Sequence, residues 1–136
     1  MEVLLSIKPE FAEKIFSGVK RFEYRRVLFK KPVKKIFLYS SSPTQRIVGE
    51  FSIKRIIEGH PSYVWSQTKK FSGISETFYR EYFDGKERAY AIEVGHAIKY
   101  DCVIDPYKEF KSFVPPQSFR YLVQNSLQPL MQFCLS

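Results

Sequence analysis

The chain is short of the residues that staple or coordinate small folds. Its 136 residues include two cysteines, Cys102 and Cys134, and two histidines, His60 and His96. Two distant cysteines with no CxxC pair make no disulfide framework. A zinc site needs about four ligands, usually in close pairs, so these scattered side chains argue against a metal, and no cofactor is expected. No apolar run approaches the roughly 20 residues of a membrane span, and no leader is expected before the first apolar stretch. The expected setting is the cytoplasm, with reduced thiols and no membrane partner. Repeats, low-complexity tracts and flexible linkers are also lacking. One domain over residues 1–136 is expected, with a core at about 3–105 and a C-terminal extension at about 106–136.

Positive charge and aromatic rings are abundant. Lys and Arg number 22 against 14 Asp and Glu, a net charge of +8. Residues 1–35 hold ten basic and four acidic side chains, so one quarter of the chain supplies +6 of that total. A charge this concentrated favours a polyanionic partner over a merely solubilising surface. Aromatics make up 17% of the chain. A small β-rich core uses rings as filler, so their number alone does not signal base stacking.

Periodicity supplies the elements. Val3–Ile7 reads as a buried strand. Pro9 suits a first helical position, Phe11, Ala12, Ile15 and Phe16 share one face, and Gly18 can cap, so 9–17 is a helix. In 21–26 Phe22 and Tyr24 alternate with Glu23 and Arg25, the aromatics facing the core; the same alternation turns Arg26 away from Arg25, to the periphery. Residues 36–39 form a strand ending in Ser40-Ser41-Ser42-Pro43. Arg46–Glu58 reads as one long strand with Ile47, Phe51, Ile53 and Ile57 on one face and a bulge at Gly49. Residues 60–68 suit a short helix. Ser75 can cap another that Asp84-Gly85 stops. Two further strands carry Tyr90, Ile92 and Val94, then Ile98, Tyr100, Cys102 and Ile104. A short helix is expected to start at Gln117 and Ser118. This order gives an α+β, β-rich fold: a small closed or nearly closed barrel of mixed strands with short flanking helices.

Gly18-Val19-Lys20-Arg21-Phe22-Glu23-Tyr24-Arg25 fits the pattern GxKxxExR, after a strand and a short helix and opening a strand. The arrangement resembles the ASCH family of the PUA-like superfamily. Ile47–Phe51 is similar to that family's central barrel strand, Phe83–Ile92 to its helix-to-strand junction, and PPQSF (115–119) to the C-terminal segment of some members. The resemblance covers about residues 3–120, and its motif is moderately specific. It implies a PUA-like pseudo-barrel with a cleft where the motif side chains meet. It also implies RNA as partner, since PUA-like relatives bind RNA and some read modified bases. Ribonuclease activity has been attributed to an ASCH protein. One bacterial branch hydrolyses acetylated cytidine with a Lys, a Thr and a Glu. Lys20 matches that Lys, Glu23 stands at the Thr position, and Glu76 is the nearest candidate for the Glu.

The candidate site residues are Lys8, Lys20, Glu23, Arg25, Ser40, Ser41, Gln117 and Ser118. Lys20 can contact a phosphate or, with a lowered pKa, act as base or nucleophile. Glu23 and Arg25 share a strand face, first of all as an ion pair; Glu23 can also accept from a base or ribose, and Arg25 can hold a phosphate. Lys8 leaves the first strand toward the same cleft. The Ser40 and Ser41 hydroxyls end a buried strand and can line a ligand, although a Ser-Pro turn is their ordinary explanation. Gln117 and Ser118 at a helix start can meet a phosphate or simply cap the helix. These residues support an RNA- or nucleotide-binding module with a basic cleft. The alternative is a hydrolase of RNA or a modified nucleoside centred on Lys20 and Glu23. A third class is a regulatory adaptor whose charge is incidental.

Overall fold

The computed structural model describes residues 1–122. Its elements are β1 (Glu2–Ile7), α1 (Pro9–Phe16), β2 (Phe22–Arg25), β3 (Lys35–Ser40), β4 (Arg46–Gly59), α2 (Pro61–Thr68), α3 (Glu76–Tyr82), β5 (Ala89–Ile104), α4 (Pro106–Glu109) and β6 (Phe119–Leu122). A single 3-10 turn, Lys69–Phe71, follows α2. The six strands make one mixed sheet in the order β2-β5-β4-β3-β1-β6, curled into the expected pseudo-barrel. Among these described strands, β1 and β3 are the parallel pair and the other neighbours run antiparallel.

The terminal strands β2 and β6 are not paired with each other in that order, so the curl leaves a seam. Helix α1 packs against the sheet through buried Ala12 and Ile15, with Phe11 and Phe16 beside them. Gly49 permits this: a Cβ there would lie 2.4 Å from the Phe16 ring and from the Ile98 carbonyl oxygen. The β4 register shifts beside the same glycine, as the sequence suggests. Further shifts follow near Ile53, so β4 does not keep one apolar face. Ile47, Phe51 and Ile57 serve three different clusters, because each extra residue in a strand reverses its alternation.

The two strands expected at 90–94 and 98–104 are one 16-residue strand, β5. Both halves pair with β4, and Gly95-His96 makes a bend rather than a turn, with the His96 amide donating to Ser52 Oγ at 2.9 Å. The helix expected at Gln117 and Ser118 does not form. These residues lead into β6, which pairs antiparallel with β1 and carries the sheet beyond residue 105. Phe119 and Tyr121 alternate with Arg120, a strand period that the tertiary pairing selects. Cys102, expected as a reduced thiol, is disulfide-bonded; distance in sequence sets no limit on which sulfurs a fold brings together. Cys134 lies outside the described residues.

Candidate functional site

The motif is buried. Lys20, Glu23 and Arg25 are 1%, 5% and 9% exposed. Lys20 follows the α1 C-terminus, where its amide donates to the Lys14 carbonyl at 3.0 Å. Its ammonium donates to the Ser72 carbonyl at 2.8 Å and lies 3.8 Å from Glu23 Oε1. Two rings flank it, Tyr24 at 4.8 Å and Phe11 at 5.4 Å from their centroids. Gly73 is the neighbour that makes room, since a Cβ there would lie 2.4 Å from Lys20 Cβ.

Glu23 Oε2 accepts from Arg25 Nη2 at 2.6 Å and Nε at 3.1 Å. The same guanidinium crosses the seam. Its Nη2 donates to the Ser6 carbonyl at 2.6 Å, and Nη1 faces Ser118 at 3.4–3.5 Å. Arg25 thus ties β2 to the end of β1 and to the entry of β6, where strand pairing is lacking. Burial pulls the Lys20 ammonium from 10.5 down to about 8. Glu23 pushes it back up, while Arg25 and Lys14 push it down. Desolvation decides the balance. Burial also raises the Tyr24 phenol to about 12, against the lowering effect of its 2.7 Å hydrogen bond with Thr68.

These groups wall a cavity of about 360 Å³ on the seam. Six of the eight candidates line it: Lys8, Lys20, Glu23, Arg25, Gln117 and Ser118. Ser40 does not; it is 2% exposed inside β3. Ser41 lines a neighbouring cavity instead. Arg26, expected at the periphery, lines the main cavity with its guanidinium 4.5 Å above the Tyr82 ring. Strand β2 ends at Arg25, so alternation no longer governs Arg26. The other basic residues of 1–35 do not all converge: Lys35 pairs with Glu50, 3.1 Å away, and Arg21 covers Phe71.

Sequence reasoning missed the aromatic wall of Phe11, Tyr24, Phe78 and Tyr82. A signal was present in α3. Phe78 and Tyr82 lie one turn apart, as do Tyr79 and Phe83, and two aromatic faces exceed what one core contact needs. Tyr79 and Phe83 are buried under α2, which leaves Phe78 and Tyr82 for the cavity. Glu76 does not line this cavity. It is exposed on α3, accepting from Trp65 Nε1 and Arg80 Nε at 3.0 Å each, and Arg80 and Trp65 hold its carboxyl low. The Lys–Thr–Glu set of the acetylcytidine branch is therefore not assembled around Lys20 among the described residues.

The model of the ASCH domain matches residues 5–98. The chain belongs to the ASCH family. An ASCH domain-containing ribonuclease from Zymomonas mobilis is 32% identical over 133 residues, covering 96% of this chain and 90% of that protein. The crystal structure of ASCH from Zymomonas mobilis superposes with a TM-score of 0.89 at 29% identity, over 98% of this chain and 95% of that one. A large ribosomal subunit protein uL22 from Ureaplasma parvum is 31% identical over 125 residues; this chain spans 39% of its length. Among the described residues no helix is long and apolar enough to cross a membrane, and no cluster of His, Cys, Asp and Glu is placed to hold a metal ion.

Proposed function

We propose that this ASCH domain binds RNA in the seam cavity, a basic cleft in which the aromatic wall stacks a base and the cationic rim holds the backbone. The carrying observation is the composition of one cavity. Among the described residues, four cationic side chains, Lys8, Lys20, Arg25 and Arg26, share it with a single carboxylate, Glu23, and with four aromatic rings. Base stacking on such rings is worth about 1–3 kcal/mol per base, and rim cations add the salt-dependent part of binding. Lys20 and Arg25 already have protein partners, so Lys8 and Arg26 are the phosphate contacts. Glu23, held by both cations, offers its remaining lone pairs to a base edge or a ribose hydroxyl. The test is binding of a short single-stranded RNA across a salt series. Lys8→Ala should lower the salt slope by about one unit. Unchanged affinity and slope in a Lys8→Ala, Arg26→Ala double variant would reject the cleft as the binding site.

A second reading, cleavage of the bound strand, is favoured by the lowered Lys20 pKa and by the name of the Zymomonas mobilis relative. With a pKa of about 8, about a tenth of the Lys20 side chain is a neutral amine at pH 7. Such an amine can take the proton of a ribose 2′-hydroxyl as its oxygen bonds to the adjacent phosphorus. The P–O5′ bond then breaks, and the leaving oxygen takes a proton from solvent. Incubation with single-stranded RNA should give strand scission that Lys20→Ala abolishes. Scission that persists in Lys20→Ala would rule this role out. Acetylated cytidine should not be turned over, because Glu76 lies away from Lys20.

A further inference from the structure

The seam cavity does not end at its rim. A second cavity of about 350 Å³ adjoins it, and the two share Ser6, Ile7, Lys8 and Gln117 as a common wall. The far side of the second cavity is formed by Ser41, Ser42 and Gln45 of the β3–β4 loop and by Pro115 and Pro116. No carboxylate lines it among the described residues. Both sides are anchored to the end of β1. The Ser41 amide donates to the Ile7 carbonyl at 2.9 Å, and Ser6 Oγ donates to the Pro116 carbonyl at 2.5 Å. Gln45 holds a left-handed backbone, φ +53, unusual for a residue with a side chain and often found where a loop shapes a site.

We infer that the second cavity is a subsite for the nucleotide adjoining the one in the seam cavity, so that the ligand is an internal stretch of single-stranded RNA rather than a free nucleoside. The inference rests on the RNA reading of the seam cavity and adds a direction and a length to it. Each cavity lies near the lower end of the roughly 300–1,000 Å³ typical of ligand sites, so each takes one nucleotide. Lys8 stands on the wall between them. Its side chain is exposed, rests its ammonium 5.3 Å above Phe78 and 5.9 Å above Phe11, and has no carboxylate partner among the described residues. A cation at that place meets the phosphate joining two nucleotides, one on each side. The two cavities then divide the work. Rings in the first stack the base. The hydroxyls and amides of Ser41, Ser42, Gln45 and Gln117 in the second hydrogen-bond a base or ribose.

The experiment compares binding of uridine 3′-monophosphate, the dinucleotide UpU and the tetranucleotide UpUpUpU to the full chain and to Ser42→Trp, which fills the second cavity without touching the first. In the wild type, affinity should rise at least about tenfold from the mononucleotide to UpU, with a smaller further gain for the tetranucleotide. Ser42→Trp should lose the gain from UpU and keep the mononucleotide affinity within about twofold. Ser42→Glu, which puts a carboxylate there without bulk, should do the same and covers the case in which the tryptophan variant fails to fold. A wild type that binds the mononucleotide and UpU equally, or variants that keep the full gain, would overturn the subsite and leave the seam reading standing. No binding of any probe would remove both.

Discussion

Arg25→Met tests whether one buried guanidinium closes the barrel. The substitution keeps much of the side-chain volume and removes every donor. Among the described residues Glu23 then loses two charge-assisted hydrogen bonds, at 2.6 and 3.1 Å, and keeps the Lys20 ammonium at 3.8 Å. The Ser6 carbonyl loses a 2.6 Å donor at the seam. Removing one partner of a buried pair typically costs about 3–5 kcal/mol, because the remaining charge is left desolvated. The lower end is expected here, since Lys20 remains. Against a total stability of about 5–15 kcal/mol, that is a large fraction. Urea unfolding should show a lower midpoint with little change in slope. A Glu23→Leu, Arg25→Met double variant should be more stable than the sum of the single losses implies, because it removes both charges together. A loss below about 1 kcal/mol in Arg25→Met would mean that the pair is effectively solvated, and the seam argument would fail.

Two other predictions concern Lys20. Its folded pKa of about 8 lies below the unfolded 10.5, so between these values the unfolded chain holds more protons and stability rises with pH. From pH 8 to pH 10 this contributes about 2–3 kcal/mol relative to Lys20→Met, measured as the difference between their urea-unfolding free energies. Parallel pH profiles for the two proteins would show that Lys20 titrates normally. Gly73→Ala combines a left-handed backbone, φ +70, with a Cβ 2.4 Å from Lys20 Cβ, and should cost at least about 1–2 kcal/mol from the backbone alone. A thermal midpoint within a degree of wild type would refute the packing of Lys20 against Gly73.

Local chemistry determined much of this protein. Helix α1 follows from Pro9 and the Phe11–Phe16 stripe, the α3 start from the Ser75 hydroxyl that accepts from the Phe78 amide, and the β4 bulge from Gly49. The alternation in 22–25 placed Glu23 and Arg25 side by side, and their spacing of two residues is the reason that they pair. These signals are legible because each spans a few neighbouring residues and has one stable local solution. Tertiary structure decided the rest. Whether Gly95-His96 turns or bends depended on β4 offering one partner to both halves of β5. Whether 119–122 is strand or helix depended on the free edge of β1. The burial that lowers Lys20 needs the Ser72 segment, far along the chain, as well as Phe11 of α1, and the aromatic wall comes from α1, β2 and α3 together. A desolvation energy is a property of everything that surrounds a group, and no window of sequence contains it.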